Sequence, residues 1–130
     1  MKPVMLRFNY EFSRVYKRGN FAIGKFLTVH CFKRYAGLKH NNTLIPTDIN
    51  RLGFCANKKQ LGAVERNKAR RLLREAYRSL ADCIPLGYDI VFTLRPSEEL
   101  PTYHQVSEEM KKLLVKLHIF DSNTSIDKDS

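Results

Sequence analysis

From Glu65 to Arg78 the chain reads ERNKARRLLREAYR, six basic side chains in fourteen residues with leucines set between them. Taken as a helix over Arg66–Leu80, its apolar positions are Ala69, Leu72, Leu73, Ala76, Tyr77 and Leu80, which fall on one stripe at helical spacing. The opposite face carries Arg66, Asn67, Arg70, Arg71, Arg74 and Arg78, with Lys68 at the flank and Glu75 as the acid within the helix. A helix so divided must lay its stripe on other structure. Once it does, the direction in which the arginines point is fixed as well.

Charged faces of amphipathic helices usually serve only to meet water. Here two features favour a surface for a polyanion. A merely soluble face mixes signs and gains from opposite charges four residues apart, whereas Arg66–Arg70, Arg70–Arg74 and Arg74–Arg78 are like-charged at that spacing. The choice of arginine matters too, because a planar guanidinium grips phosphate with two hydrogen bonds and stacks on bases, while lysine offers a point charge. Lys58 and Lys59 shortly precede the helix, Gly62 permits a close approach of backbone, and the helix N-terminus adds a dipole favourable to phosphate. Glu65 complements the same dipole. These physical arguments leave RNA and DNA both open.

The rest of the chain reads as elements around this helix. Asn9 is placed to cap a short helix over Tyr10–Lys17 that Gly19 ends. KFLTVHCF (Lys25–Phe32) alternates Leu27, Val29 and Cys31 against Thr28 and His30 as a strand does, and RLGFCAN (Arg51–Asn57) alternates Leu52, Phe54 and Ala56. Residues 33–50 are polar and read as a long connection. YDIVFTLR (Tyr88–Arg95) has a continuous apolar centre, the mark of a strand buried on both faces. A last helix over Thr102–His118 presents Val106, Met110, Leu113, Leu114 and Leu117. The result is one α/β domain in the order helix, two strands, basic helix, strand, helix, and the basic helix joins strands expected to be parallel neighbours. The final DSNTSIDKDS, residues 121–130, is polar without periodicity and is expected to be disordered.

The 130 residues suit one compact domain, and a net charge of +10 attracts polyanions without naming one. No apolar run approaches the roughly 20 residues of a spanning helix. The N-terminus lacks the apolar core of a secretory signal, so a cytoplasmic protein with no membrane partner is expected. Cys31, Cys55 and Cys83 are odd in number and far apart, unlike a disulfide framework or a zinc site, and read as small apolar residues. His30, His40, His104, His118, Asp89, Glu98 and Glu99 form no catalytic or metal-ligating pattern, and no metal or other cofactor bound by the protein itself is expected. A DNA reader of the helix-turn-helix type needs a helix just before the recognition helix; the segment before this one reads as strand, so DNA is not expected as the partner.

NKK followed by GAVERNKARRLLREAYR resembles the RNR signature of the bacterial ribonuclease P protein family, a lysine pair and then G-x-A-V-x-R-N-R-x-K-R-x-x-R-E. LRFNYEFSRVYKRG is similar to the family's opening helix and GYDIVFTLRP to its last strand, so the resemblance runs from about Leu6 to Phe120 and implies one RNA-binding domain over residues 1–120. It implies a two-layer α/β (α+β) sandwich with a small mixed sheet and a left-handed strand–helix–strand crossover. It also implies a non-catalytic subunit of an endoribonuclease whose RNA, using Mg²⁺, removes the 5′ leader of precursor tRNA. The partners implied are that catalytic RNA and the precursor's leader, and the protein's part is to bind both and lower the magnesium requirement.

Carried over by position, Arg66, Asn67, Lys68, Arg70, Arg71 and Arg74 match the RNR helix that faces RNA, and Lys58 and Lys59 the lysines before it. Phe12 and Tyr16 match an aromatic pair on the first helix, and Thr28 and His30 match strand positions, all four lining the leader cleft. From spacing alone, Phe12 and Tyr16 read better as core contacts. The chain departs from the pattern at Lys68, where the family has the second arginine, at Arg70 in place of lysine, and at Leu61 in place of glycine, with Gly62 one residue later. The alternative from another class is a ribosomal-type RNA-binding module with no part in tRNA processing.

Overall fold

The structure is a computed structural model describing residues 4–40, 42–56 and 62–120. The elements run β1 (Val4–Met5), α1 (Asn9–Arg18), β2 (Asn20–Ile23), β3 (Leu27–Lys33), β4 (Lys39–His40), β5 (Thr43–Leu44), β6 (Arg51–Ala56), α2 (Ala63–Leu80), a 3-10 turn (Ala81–Cys83), β7 (Tyr88–Leu94) and α3 (Tyr103–Lys116). Five strands form one mixed sheet in the order β1-β6-β7-β3-β2, and β4 and β5 form a separate hairpin.

β7 lies at the centre, parallel to β6 and antiparallel to β3, and is buried on both faces as its apolar run requires. One face places Leu27, Val29, Leu52, Phe54, Ile90, Phe92 and Leu94 against Ala69, Leu73, Ala76 and Tyr77 of α2 and Val106, Met110, Leu113 and Leu114 of α3. That face and its two helices make the expected two-layer sandwich. On the other face α1 covers only a part, where Val15 packs with Phe32 and Val91.

The α2 stripe decides the local contest. Burying a leucine such as Leu73 stabilises by about 1.5–3 kcal/mol, whereas each like-charged pair four apart costs only about 0.2–0.5 kcal/mol. The helix forms despite its arginines, because of what it buries. It joins parallel neighbours, and the hand of the crossover follows from one hydrogen bond. Leu52 turns its side chain to the α2 face while its carbonyl accepts from the Leu6 N–H, on the β1 side. In an L-residue of an upward strand with its side chain toward the viewer, the N–H and C=O point right. β1 therefore lies to the right of β6 and β7 to its left, and the chain passing in front of the sheet from β6 to β7 makes a left-handed crossover, against the right-handed default.

Several boundaries differ from the sequence reading. α1 begins at Asn9 with Phe8 before it, so Asn9 does not cap it; the Glu11 carboxylate accepts from the Arg7 and Phe8 N–H groups at 2.6 and 2.9 Å. Gly19 ends the helix without a left-handed turn, its φ being −94°. What demands glycine is crowding: a Cβ there would collide with the Cys31 carbonyl of β3. The strand expected over Lys25–Phe32 begins only at Leu27, because residues 24–26 form a turn whose Lys25, Phe26 and Leu27 N–H groups all donate to the Glu109 carboxylate of α3. β1 and β2 are strands that the pattern did not reveal, and the long connection contains the β4–β5 hairpin. The final helix starts next to Thr102 as expected and ends at Lys116; the Thr102 side chain caps it by accepting from the Gln105 N–H. Lys58, Lys59, Leu61 and the tail lie outside the described residues.

A buried ion cluster ties the elements together. Asp89, fully buried on β7, accepts from Arg34 at 2.6 Å and from Arg51 at 3.0 and 2.9 Å. Arg51 also donates to Glu11 of α1 at 2.9 Å, and Arg34 donates to the carbonyls of Tyr88, Pro46 and Ile49. Removing one partner of such a cluster strands a buried charge. Asp89→Ala is therefore expected to cost about 3–5 kcal/mol of stability, read as a lower urea midpoint at unchanged slope. A loss below about 1 kcal/mol, the scale of a surface ion pair, would show that Arg34 finds other compensation.

Candidate RNA interface

Two surfaces meet at the free edge of β6. Among the described residues, β1 covers that strand only beside Arg51 and Leu52, and no strand pairs with Gly53–Ala56 on that side. On the α1 face, the register aligns Thr28 with Thr93 and Cys55, and His30 with Val91 and Gly53. Gly53 exists to admit Phe12, since a Cβ there would lie 2.6 Å from its ring. Phe12 is thus half-buried, packed against the smaller core cluster. Tyr16, one turn on, is 48% exposed and stands edge-on to His30 with centroids 4.9 Å apart. Its hydroxyl shares a hydrogen bond with Thr93, while burial of the phenol and the nearby Cys55 raise its pKa.

Thr28 and His30, half-buried, form the floor. His30 is also stacked on Phe21 of β2 at 5.5 Å, and Phe21 and Ile23 are exposed along the rim. Tyr16, His30 and Phe21 so form a row of rings along one open wall, with Phe12 beneath its start. Sequence reasoning missed Phe21 and Ile23 because β2 has a single buried side chain, Ala22, and gives no periodic signal.

The cationic surface is the outer face of α2. Asn67, Lys68, Arg71 and Arg78 are exposed, and Arg66, Arg70 and Arg74 half-buried. Among the described residues Lys68, Arg70, Arg71, Arg74 and Arg78 make no ion pair, in contrast to the arginines under α1. Arg70 donates to the Asn67 side chain at 2.5 Å. Its charge also reaches Cys55, where it opposes the rise in thiol pKa that burial causes. That influence links the two surfaces, for Cys55 is the neighbour that raises Tyr16. Arg74 stands over the Phe54 ring at 5.8 Å. At the start of α2, Gly62 offers no side chain to cap the first turn, and among the described residues nothing lies within 4 Å of where its Cβ would be. Lys58 and Lys59 lie outside the described residues. Cys31, Cys55 and Cys83 are free thiols.

A model of the Ribonuclease P family matches residues 1–118. The chain belongs to the ribonuclease P protein family. It is 36% identical over 123 residues to the ribonuclease P protein component of Clostridium botulinum (strain 657 / Type Ba4), covering 93% of this chain and all of that one. The solved RNase P protein of Staphylococcus aureus superposes with a TM-score of 0.71 at 26% identity, over 92% of this chain and 99% of that one. The RNase P protein of Thermotoga maritima gives 0.66 at 28%, over 87% and 94%. Membership makes this chain an RNA-binding protein of tRNA processing, part of an endoribonuclease complex with ribonuclease P RNA as its partner. Among the described residues no helix is long and apolar enough to cross a membrane.

Burial lowers the His30 pKa below 6.5, and its Nδ1 is buried with no hydrogen-bond partner among the described residues. The unfolded chain then takes up the proton first as pH falls, so this ring's contribution to stability is complete above about pH 6.5 and is lost on descent through the folded pKa. NMR titration is expected to place the His30 midpoint below 6.5, and His30→Gln to flatten the acid limb of stability against pH. A midpoint at or above 6.5 would mean that the ring is solvated or paired.

Proposed function

We propose that this protein binds the 5′ leader of precursor tRNA in the α1 cleft and the catalytic RNA on α2, while that RNA performs the cleavage. The observation carrying the reading is an open aromatic row on the α1 face of the sheet together with an α2 face whose Arg70, Arg71, Arg74 and Arg78 make no ion pair among the described residues. Rings hold single-stranded bases with little regard to sequence, which suits a leader that varies between precursors. Arginines without carboxylate partners are available to phosphate. Their charge, within a net +10, offsets repulsion between crowded RNA strands, a task otherwise left to Mg²⁺. Catalysis by RNA agrees with the state of the inner carboxylates, since Asp89 and Glu11 are already bound by arginine and backbone N–H groups. The cytoplasm is the compartment that precursor tRNA implies.

The test is cleavage of a precursor tRNA at low Mg²⁺ by a bacterial ribonuclease P RNA, with and without the protein, and with protein alone. Correct 5′ cleavage that requires both components is expected. Tight RNA binding without restored cleavage would favour the ribosomal-type alternative.

Two variants probe the surfaces separately. Tyr16→Ala removes the exposed ring and is expected to weaken precursor binding by about 1–3 kcal/mol while leaving mature tRNA unaffected; equal effects on both would remove the leader role. Arg70→Ala is expected to weaken binding to the catalytic RNA and to lower the slope of log K against log salt by about 0.7–0.9. An unchanged slope would return that arginine to a solvated face.

A further inference from the structure

At the end of α2 far from the cleft, a cavity of about 480 Å³ opens between β1, the segment entering β6, the last turns of α2 and the 3-10 turn. Its size falls among small-molecule sites, about 300–1,000 Å³, and is generous for a lone phosphate. Arg74 and Arg78 line it, and so do Asp48 and Asp82, so the formal charges cancel. A bare polyanion gains little from such a lining, and the C-terminal dipole of α2 disfavours it further. The walls between the charges are apolar, from Val4, Leu86 and the Tyr77 ring. The arrangement suits a flat, neutral ring with acceptors on one edge and donors on another.

Its walls are already braced. The Asn50 Nδ2 donates to the Pro85 carbonyl, its Oδ1 accepts from the Tyr88 N–H, and its side chain hydrogen-bonds Tyr77. Arg74 is held over Phe54. We infer that this cavity receives one unpaired guanine nucleotide of an RNA, its base inside and its phosphate on Arg78 at the rim. Guanine is the base whose O6 and N7 accept from an arginine, while its N1–H and amino group donate to a carboxylate such as Asp48 or Asp82. The inference rests on the RNA-binding reading and asks nothing of the leader cleft.

The full chain, labelled with ¹⁵N, is titrated with GMP, AMP, CMP, UMP, guanosine and inorganic phosphate. GMP is expected to shift the Tyr77, Ala81, Asp82 and Leu86 amides saturably, ahead of the other nucleotides, with no such shifts from phosphate. Ala81→Leu fills the cavity and is expected to weaken GMP about tenfold, or about 1.4 kcal/mol. Arg78→Gln changes an exposed side chain that folding does not need, and is expected to weaken GMP while sparing guanosine. Shifts that phosphate reproduces, that pyrimidines match, or that gather around Tyr16 and His30 would overturn the inference. The source is read by crosslinking 6-thioguanosine placed in the ribonuclease P RNA or in the precursor. A Tyr77 crosslink in one arm names the donor, and none in either overturns the role. Precursor cleavage is measured apart, so failure there leaves the nucleotide result standing, and the reverse.

Discussion

Asp89 is the point through which the fold is held in register. It sits at zero exposure on the central strand, and a lone carboxylate there would be costly to desolvate. Arg34 comes to it from the end of β3, Arg51 from β6 and Arg14 of α1 stands 3.7 Å away. Arg51 then reaches Glu11, whose other oxygen orders the entry into α1. Because each arginine arrives from a different element, the cluster fixes how α1 lies across the sheet. That angle in turn determines where the cleft opens. An apolar core of the same volume could stabilise as well, but without directional bonds it would set that angle less sharply.

The two faces of the sheet divide the labour. The α2/α3 face contains the long hydrophobic side chains and supplies most of the burial. The other face is then free to be only half covered, with Thr28, His30 and Thr93 partly open beside Val15 and Val91. A surface carrying exposed Phe21 and Ile23, with exposed Tyr16 on α1 beside them, is stable because its floor belongs to strands secured from behind. Glu109 extends this logic: from α3, on the dry side, it binds three N–H groups of the turn that leads from β2 into β3. The rim of the cleft is thereby anchored by a helix that does not line it.

The sequence revealed those parts of the fold where burial writes a period. The α2 stripe, the continuous run of β7, the alternation of β6 and the stripe of α3 all stand where they were read, within a few residues. β1 and β2 escaped because one is two residues long and the other buries only Ala22. The role of Asp89 escaped because its hydrogen-bonded partners are 38 and 55 residues distant and ionic contacts leave no spacing. Among the candidate site residues, the α2 arginines were legible from charge segregation alone. Phe12 and Tyr16 were not separable by spacing, yet they differ in the fold: Gly53 draws one ring into the sheet, while its neighbour a turn away stays open. The hand of the crossover came with the family resemblance, since periodicity carries no chirality.

Lys68 and Arg70 exchange the cationic side chains expected at two positions of the RNR helix, and their surroundings differ in a way that makes the exchange tolerable. Lys68 is exposed and free to meet phosphate as a point charge from several directions. Arg70 is half-buried at the β6 edge, oriented by Asn67 and close enough to influence Cys55. A planar, pre-oriented donor has more value there than on the outer rim, because less side-chain freedom remains to be lost on binding. The chain thus keeps its fork-shaped cation where the protein can aim it, and its flexible cation on the exposed rim.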